Sequence, residues 1–140
     1  MSHYTFITPT VAIGDIYSSY KDFDLIVNLS NNAKAEIGKF YIENNIIHIG
    51  LIDRPDQKEC CKKLIDEIMP YLLQNKEKKI LFHCNSGKSR SATFAIIFLS
   101  HLLSKHPLEI LKNINFVKPN DGFIEILEEK CTLQNNLGVY

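Results

Sequence analysis

Lys79-Ile80-Leu81-Phe82-His83-Cys84-Asn85-Ser86-Gly87-Lys88-Ser89-Arg90-Ser91 is the stretch on which the reading of this chain turns. Residues 79–83 form a short apolar run of the kind found in a buried strand. From Ser91 to about Leu103 the chain is apolar at a length that suits a helix. Strand, glycine-containing turn, then helix gathers backbone N–H groups into one concavity at a helix N-terminus, where a phosphate or sulfate fits. Cys84 sits at the strand end of that loop, where the same donors and dipole favour a thiolate, the reactive form. Arg90 follows six residues later, and its planar fork can return over the cavity to hold two phosphoryl oxygens. Asn85, Ser86, Gly87, Lys88 and Ser89 complete the cradle. Ser91 is placed to donate to the sulfur, and the His83 imidazole to hold the loop shape and assist thiolate formation.

Taken singly, each residue has a plainer reading. A cysteine at a strand end is usually a small core hydrophobe, a lone arginine a solvated charge, and a lone histidine a buried structural group. The joint spacing, with Gly87 three residues after Cys84 and Arg90 three after Gly87, favours chemistry. Gly87-Lys88-Ser89 also invites a nucleotide-binding reading, but the earlier glycine that motif requires is Phe82 here.

Outward from this loop, apolar segments at Tyr4 to Ile7, Val11 to Ile13, Asp24 to Leu29, Lys39 to Tyr41 and Ile46 to Ile49 are punctuated by Pro, Gly, Asn and Asp. They read as strands. Between Gln57 and about Gln74, Cys61, Leu64, Ile65, Ile68 and Leu72 recur at three- and four-residue steps, which predicts a helix. Pro107 suits the first position of a helix carrying Leu108, Ile110, Leu111 and Ile114. Another helix is expected after Pro119-Asn120-Asp121-Gly122, with Phe123, Ile126 and Leu127 inward. The pattern predicts one α/β domain over residues 1–140, with a central, mostly parallel sheet of about five strands flanked by helices.

A chain of 140 residues, 45% hydrophobic, can build one real core. Sixteen basic residues balance sixteen acidic ones, so no overall field draws it to nucleic acid or an anionic membrane. Its N-terminus lacks the basic-then-apolar order of a secretory signal, and no apolar run is long enough to span a bilayer. The expected location is the cytoplasm, with the nucleus also open to it. Cys60, Cys61, Cys84 and Cys131 match neither a zinc spacing nor a disulfide framework, so reduced thiols and no metal are expected. Cys60, Cys61 and Cys131 read as fillers, with a resolving role for an oxidised Cys84 as the alternative. Oligomeric state is not legible.

A phosphate ester's leaving group needs a proton, which here must come from outside the loop. Asp53 and Asp56 flank Arg54-Pro55 on a connection that can overhang the pocket. Asp56, directly before Gln57, suits a helix N-cap. Asp53 has no such competing task and is assigned as the acid, with Asp56 as the alternative.

These residues resemble the dual-specificity branch of the protein tyrosine phosphatase superfamily over nearly the whole chain. His83 to Ser91 is similar to its His-Cys-x-x-Gly-x-x-Arg-Ser/Thr loop, continued by Ala92-Thr93. Ile13-Gly14 and Val27-Asn28-Leu29 look like its early strands, Ile52-Asp53 falls where it places its acid, and Pro119-Asn120-Asp121-Gly122-Phe123 is similar to its Pro-Asn-x-Gly-Phe segment. The resemblance implies cofactor-free hydrolysis through a phosphocysteine, on phosphoprotein substrates carrying phosphotyrosine or phosphoserine/threonine, by a catalytic domain without a kinase-docking domain. Lys88 is a departure that resembles the phosphoinositide phosphatase branch. A phosphoinositide or an RNA 5′ phosphate is therefore the alternative substrate, and a phosphoprotein-binding pseudophosphatase the rival from another class.

Overall fold

The structure, a computed structural model, describes residues 3–137, with side chains through Lys130. Six strands form one sheet: β1 (Tyr4–Phe6), β2 (Val11–Gly14), β3 (Leu25–Asn28), β4 (Phe40–Glu43), β5 (Ile46–Ile49) and β6 (Ile80–His83), in the order β1-β2-β6-β3-β5-β4. That is one strand more than the expected five. The outer pairs, β1 with β2 and β4 with β5, are antiparallel, and the three inner pairings are parallel. The inner strands are buried along nearly their whole length, as parallel strands covered on both faces are.

Among the described residues four α-helices complete the fold: α1 (Lys58–Gln74), α2 (Arg90–Leu103), α3 (Pro107–Lys112) and α4 (Asp121–Leu137). Side chains alternate across the sheet with period two. Val11, Ile13, Leu25, Val27, Ile80 and Phe82 face the large core with the apolar sides of α1, α2 and α4. Ala12, Ile26 and Leu81 face the other way, onto a small cluster closed by Phe23, Tyr4 and Tyr20. Residues 90–100 of α2 are all buried, so this helix runs through the core rather than along its surface. Its C-terminus is closed by Ser104 in a left-handed conformation at φ 52°. No helix among the described residues is long and apolar enough to cross a membrane.

One local expectation changes. Pro55–Gln57 forms a 3-10 turn ahead of α1, and neither Arg54 nor Gln57, the residues before the two helical starts, makes a side-chain cap. Asp56 thus lies inside the turn, not at an N-cap, and pairs with Arg54 instead. Pro70 sits within α1 on its exposed side, where it removes one backbone bond without facing the core.

The strand order positions the site. β2 and β3 are consecutive in sequence, yet β6 is inserted between them. Gly14, His83 and Asn28 end their strands level with one another. In sheets of this kind ligands bind beyond the carboxyl ends of strands where the order switches, and the 84–89 loop leaves the sheet at that place.

Candidate active site

Alternation along β6 settles where the two leading residues point. Phe82 faces the helices, so His83 faces the opposite side and Cys84 returns to the helix side. His83 is fully buried, with Nε2 2.6 Å from the Tyr20 hydroxyl and Nδ1 lacking a hydrogen-bond partner. Burial lowers its pKa to about 4, opposed only in part by the Cys84 backbone and by Asp15, while burial also raises that of the Tyr20 phenol. The imidazole is therefore neutral near pH 7. It anchors the strand end through its bond to Tyr20.

Cys84 is 2% exposed, and its Sγ receives the Gly87 N–H at 3.3 Å and lies 3.2 Å from Ser91 Oγ. Gly87 makes the fold of the loop achievable: its φ is +76°, and a Cβ there would stand 2.9 Å from the Gly14 carbonyl oxygen. The loop is also pinned to the end of β2 by Cys84 N–H to Gly14 O (3.3 Å) and Ile16 N–H to Asn85 O (3.2 Å). Among the described residues the backbone N–H groups of Asn85, Ser86, Lys88 and Ser89 donate to no protein acceptor, which leaves them for an anion.

Arg90 opens α2 and is 5% exposed. Nη1 donates to Asn31 Oδ1 (2.9 Å) and the Leu51 carbonyl (3.0 Å), Nη2 donates to Asn85 Oδ1 (3.1 Å), and Nε has no partner. Asn31 lies in the turn after β3, which Asn28 and Ser30 hold: Asn28 Oδ1 accepts from the Ser30 N–H (3.0 Å) and hydroxyl (2.6 Å). Farther out, the buried His48 accepts the Lys34 N–H at 3.2 Å, and burial lowers its pKa. Sequence reading singled out neither Asn31 nor Tyr20. An Asn-rich turn directly after a buried strand was the available signal.

Asp53 is exposed, and its Oδ1 accepts from Asn120 Nδ2 at 2.8 Å. Asn120 has two more bonds. Its Oδ1 caps α4 by accepting the Phe123 N–H (3.0 Å), and its own N–H donates to Ser89 Oγ (3.0 Å). One residue thus ties the Asp53 loop, the phosphate-type loop and α4 together. A Cβ on Gly122 would fall 2.2 Å from the Pro55 carbonyl oxygen, so the loop after Asp53 rests directly on the first turn of α4. Asp56 is occupied elsewhere, accepting two 3.0 Å bonds from Arg54, whose guanidinium holds its carboxyl below the usual range.

Lys88 and Ser86 are exposed at the rim, and the Lys88 carbonyl accepts the Lys118 N–H at 2.7 Å. Cys61 lies buried in the core with its thiol pushed up by burial, and Cys60 is half-buried. Neither has the exposed, electropositive setting of a reactive cysteine. The Cys131 side chain lies outside the described residues.

Residues 6–132 match the family described as dual specificity phosphatase, catalytic domain. A probable dual specificity protein phosphatase from Dictyostelium discoideum is 36% identical over 115 residues, covering 74% of this chain and 47% of that protein. The chain thus spans about half the length of that relative. Among solved structures, the Cydia pomonella PTP-2 phosphatase superposes with a TM-score of 0.69 at 20% identity, over 93% of this chain and 91% of that one. Human DUSP28 does so at 0.70 and 16%, over 96% and 97%. At such identities these two likenesses speak for the fold. With the family match extending from β1 into α4, the chain belongs to the dual specificity phosphatase catalytic domain family.

Proposed function

We propose that this chain is a dual-specificity protein phosphatase that hydrolyses phosphotyrosine and phosphoserine/threonine through a phosphocysteine. The observation that carries the reading is Cys84 Sγ held between the Gly87 N–H and Ser91 Oγ at the mouth of α2, with the buried Arg90 beside it. The Cys84 thiolate attacks phosphorus and the ester P–O bond breaks. Asp53 gives its proton to the leaving oxygen, a step that contributes roughly 10²–10⁴ in rate. Arg90 and the loop N–H groups hold the equatorial oxygens, where charge spreads in the transition state. Water then attacks the phosphocysteine, Asp53 takes its proton, and the S–P bond breaks with the Ser91 hydroxyl donating to the departing sulfur.

Support for Asp53 as the acid is its place: exposed, free of any ion pair among the described residues, and linked through Asn120 to the loop that holds Cys84. The test is a panel of phosphotyrosine, phosphoserine and phosphothreonine peptides, a phosphoinositide and an RNA 5′ phosphate, assayed in chelator with wild type and Cys84→Ser. Peptides of both classes should be turned over, and only by wild type. Turnover confined to the phosphoinositide or the RNA end overturns the protein-substrate reading.

A further inference from the structure

We infer that Asn31 and Asn85 are positioning residues that hold the Arg90 guanidinium through neutral oxygens, so that its charge stays uncompensated for the substrate phosphate. The inference rests on the reading above, in which Arg90 receives that phosphate.

A buried guanidinium ordinarily meets a carboxylate, because an unpaired charge out of water is costly. Arg90 does not: among the described residues no Asp or Glu pairs with it, and its acceptors are two side-chain amides and one backbone carbonyl. These acceptors are well organised. The Asn85 amide oxygen takes both Arg90 Nη2 at 3.1 Å and the Asn31 N–H at 2.8 Å, so the loop after β6 and the turn after β3 lock onto each other around the arginine. The turn that carries Asn31 is held on either side, by the Asn28–Ser30 bonds and by Ser30 Oγ with Asn32 Oδ1.

The donor count shows what remains. Nη1 spends both hydrogens, on Asn31 and Leu51, and Nη2 spends one, on Asn85. Nε–H and one Nη2–H are left, and the Nε and Nη2 atoms flank one edge of the guanidinium, the edge that can grip two oxygens of one phosphoryl group. Three neutral contacts thus orient the fork and leave donors on that edge without a protein partner. A carboxylate at either asparagine would orient it as well, or better, but would neutralise it and repel the incoming dianion. An aspartate there would keep the shape and the accepting oxygen but add a negative charge, and its absence is what the site uses.

The test separates orientation from charge. Asn31→Asp, Asn85→Asp, Asn31→Ala, Asn85→Ala and Arg90→Ala are each assayed for melting temperature, for kcat and KM on an aryl phosphate, and for competitive inhibition by inorganic phosphate and vanadate. Both Asp variants should melt at or above the wild-type temperature, yet lose at least tenfold in vanadate and phosphate affinity and in kcat/KM. The Ala variants should lose kcat at least tenfold with a smaller change in phosphate affinity. Asp variants that bind both anions as wild type does, while Arg90→Ala binds them weakly, overturn the inference and leave the parent reading standing. Ala variants with wild-type kcat also overturn it. Arg90→Ala with wild-type anion affinity and turnover overturns the parent reading itself.

Discussion

Asn120→Asp should separate two tasks that Asn120 performs at once. Its Oδ1 caps α4 through the Phe123 N–H, and an aspartate caps as well as an asparagine. The melting temperature should therefore stay within about 2 °C of wild type. Its Nδ2 donates to Asp53 Oδ1 at 2.8 Å, and that donor becomes a second carboxylate oxygen. A hydrogen bond in an exposed setting is worth about 1 kcal/mol. Its loss releases Asp53 from its position by about that much, or roughly fivefold in the population placed to deliver a proton. The assay is kcat/KM across aryl phosphates of graded leaving-group acidity. Good leaving groups depart without a proton, so their rates should fall little. Poor ones need the acid and should fall by roughly fivefold. Asn120→Ala, by contrast, should lose about 1 kcal/mol of stability with the cap as well as the acid. A loss equal across all leaving groups, or none with the poorest, would refute the reasoning that Asn120 holds Asp53 as a proton donor.

Further outcomes follow from the same geometry. Asp53→Asn should cost 10²–10⁴, roughly, on phosphopeptides, while Asp56→Asn, which breaks only the Arg54 pair, should stay within about threefold; steady-state rates decide between them. Gly87→Ala must adopt φ +76° with its Cβ against the Gly14 carbonyl, so it should lower the melting temperature by about 5 °C and abolish turnover. Gly38→Ala, at φ +84° with only Cys60 Sγ at 3.6 Å, should cost about 1–2 kcal/mol yet keep activity, which separates strain from chemistry. His83 has a folded pKa of about 4 against 6.5 unfolded, so the unfolded state takes up the extra proton between those values. Its contribution is complete above pH 6.5 and is lost as pH falls toward 4, a span of about 3 kcal/mol. Denaturation at pH 7 and pH 4.5 should show a smaller acid loss in His83→Asn than in wild type.

What was legible in the sequence is local. The run Ile80 to His83 followed by an apolar segment identifies a strand and a helix, and the spacing within that stretch brings Cys84, Gly87 and Ser91 into contact because all lie on one short loop and the first helical turn. The periodicity of Cys61, Leu64, Ile65, Ile68 and Leu72 gives the inner face of α1. What escaped depends on partners distant in the chain. Asn31 reaches Arg90 across 59 residues, Tyr20 reaches His83 across 63, and Asn120 reaches Asp53 across 67. Asparagine in a turn has ordinary local explanations, so nothing nearby marks Asn31 or Asn120 as part of the site. One miss was avoidable: Pro55 before Asp56 favours a helical start one residue too early for Asp56 to cap α1.

The central claim is that Cys84 carries the phosphoryl group between substrate and water. Asp53→Asn lacks the base that speeds the second step, so it should accumulate the intermediate when given a phosphoester with a good leaving group. Rapid quenching followed by mass spectrometry of the peptide containing Cys84 should then show one added phosphoryl group, absent in Cys84→Ser, with wild-type turnover unchanged by chelator. Phosphorylation of a different residue, or turnover that survives Cys84→Ser, would contradict the account.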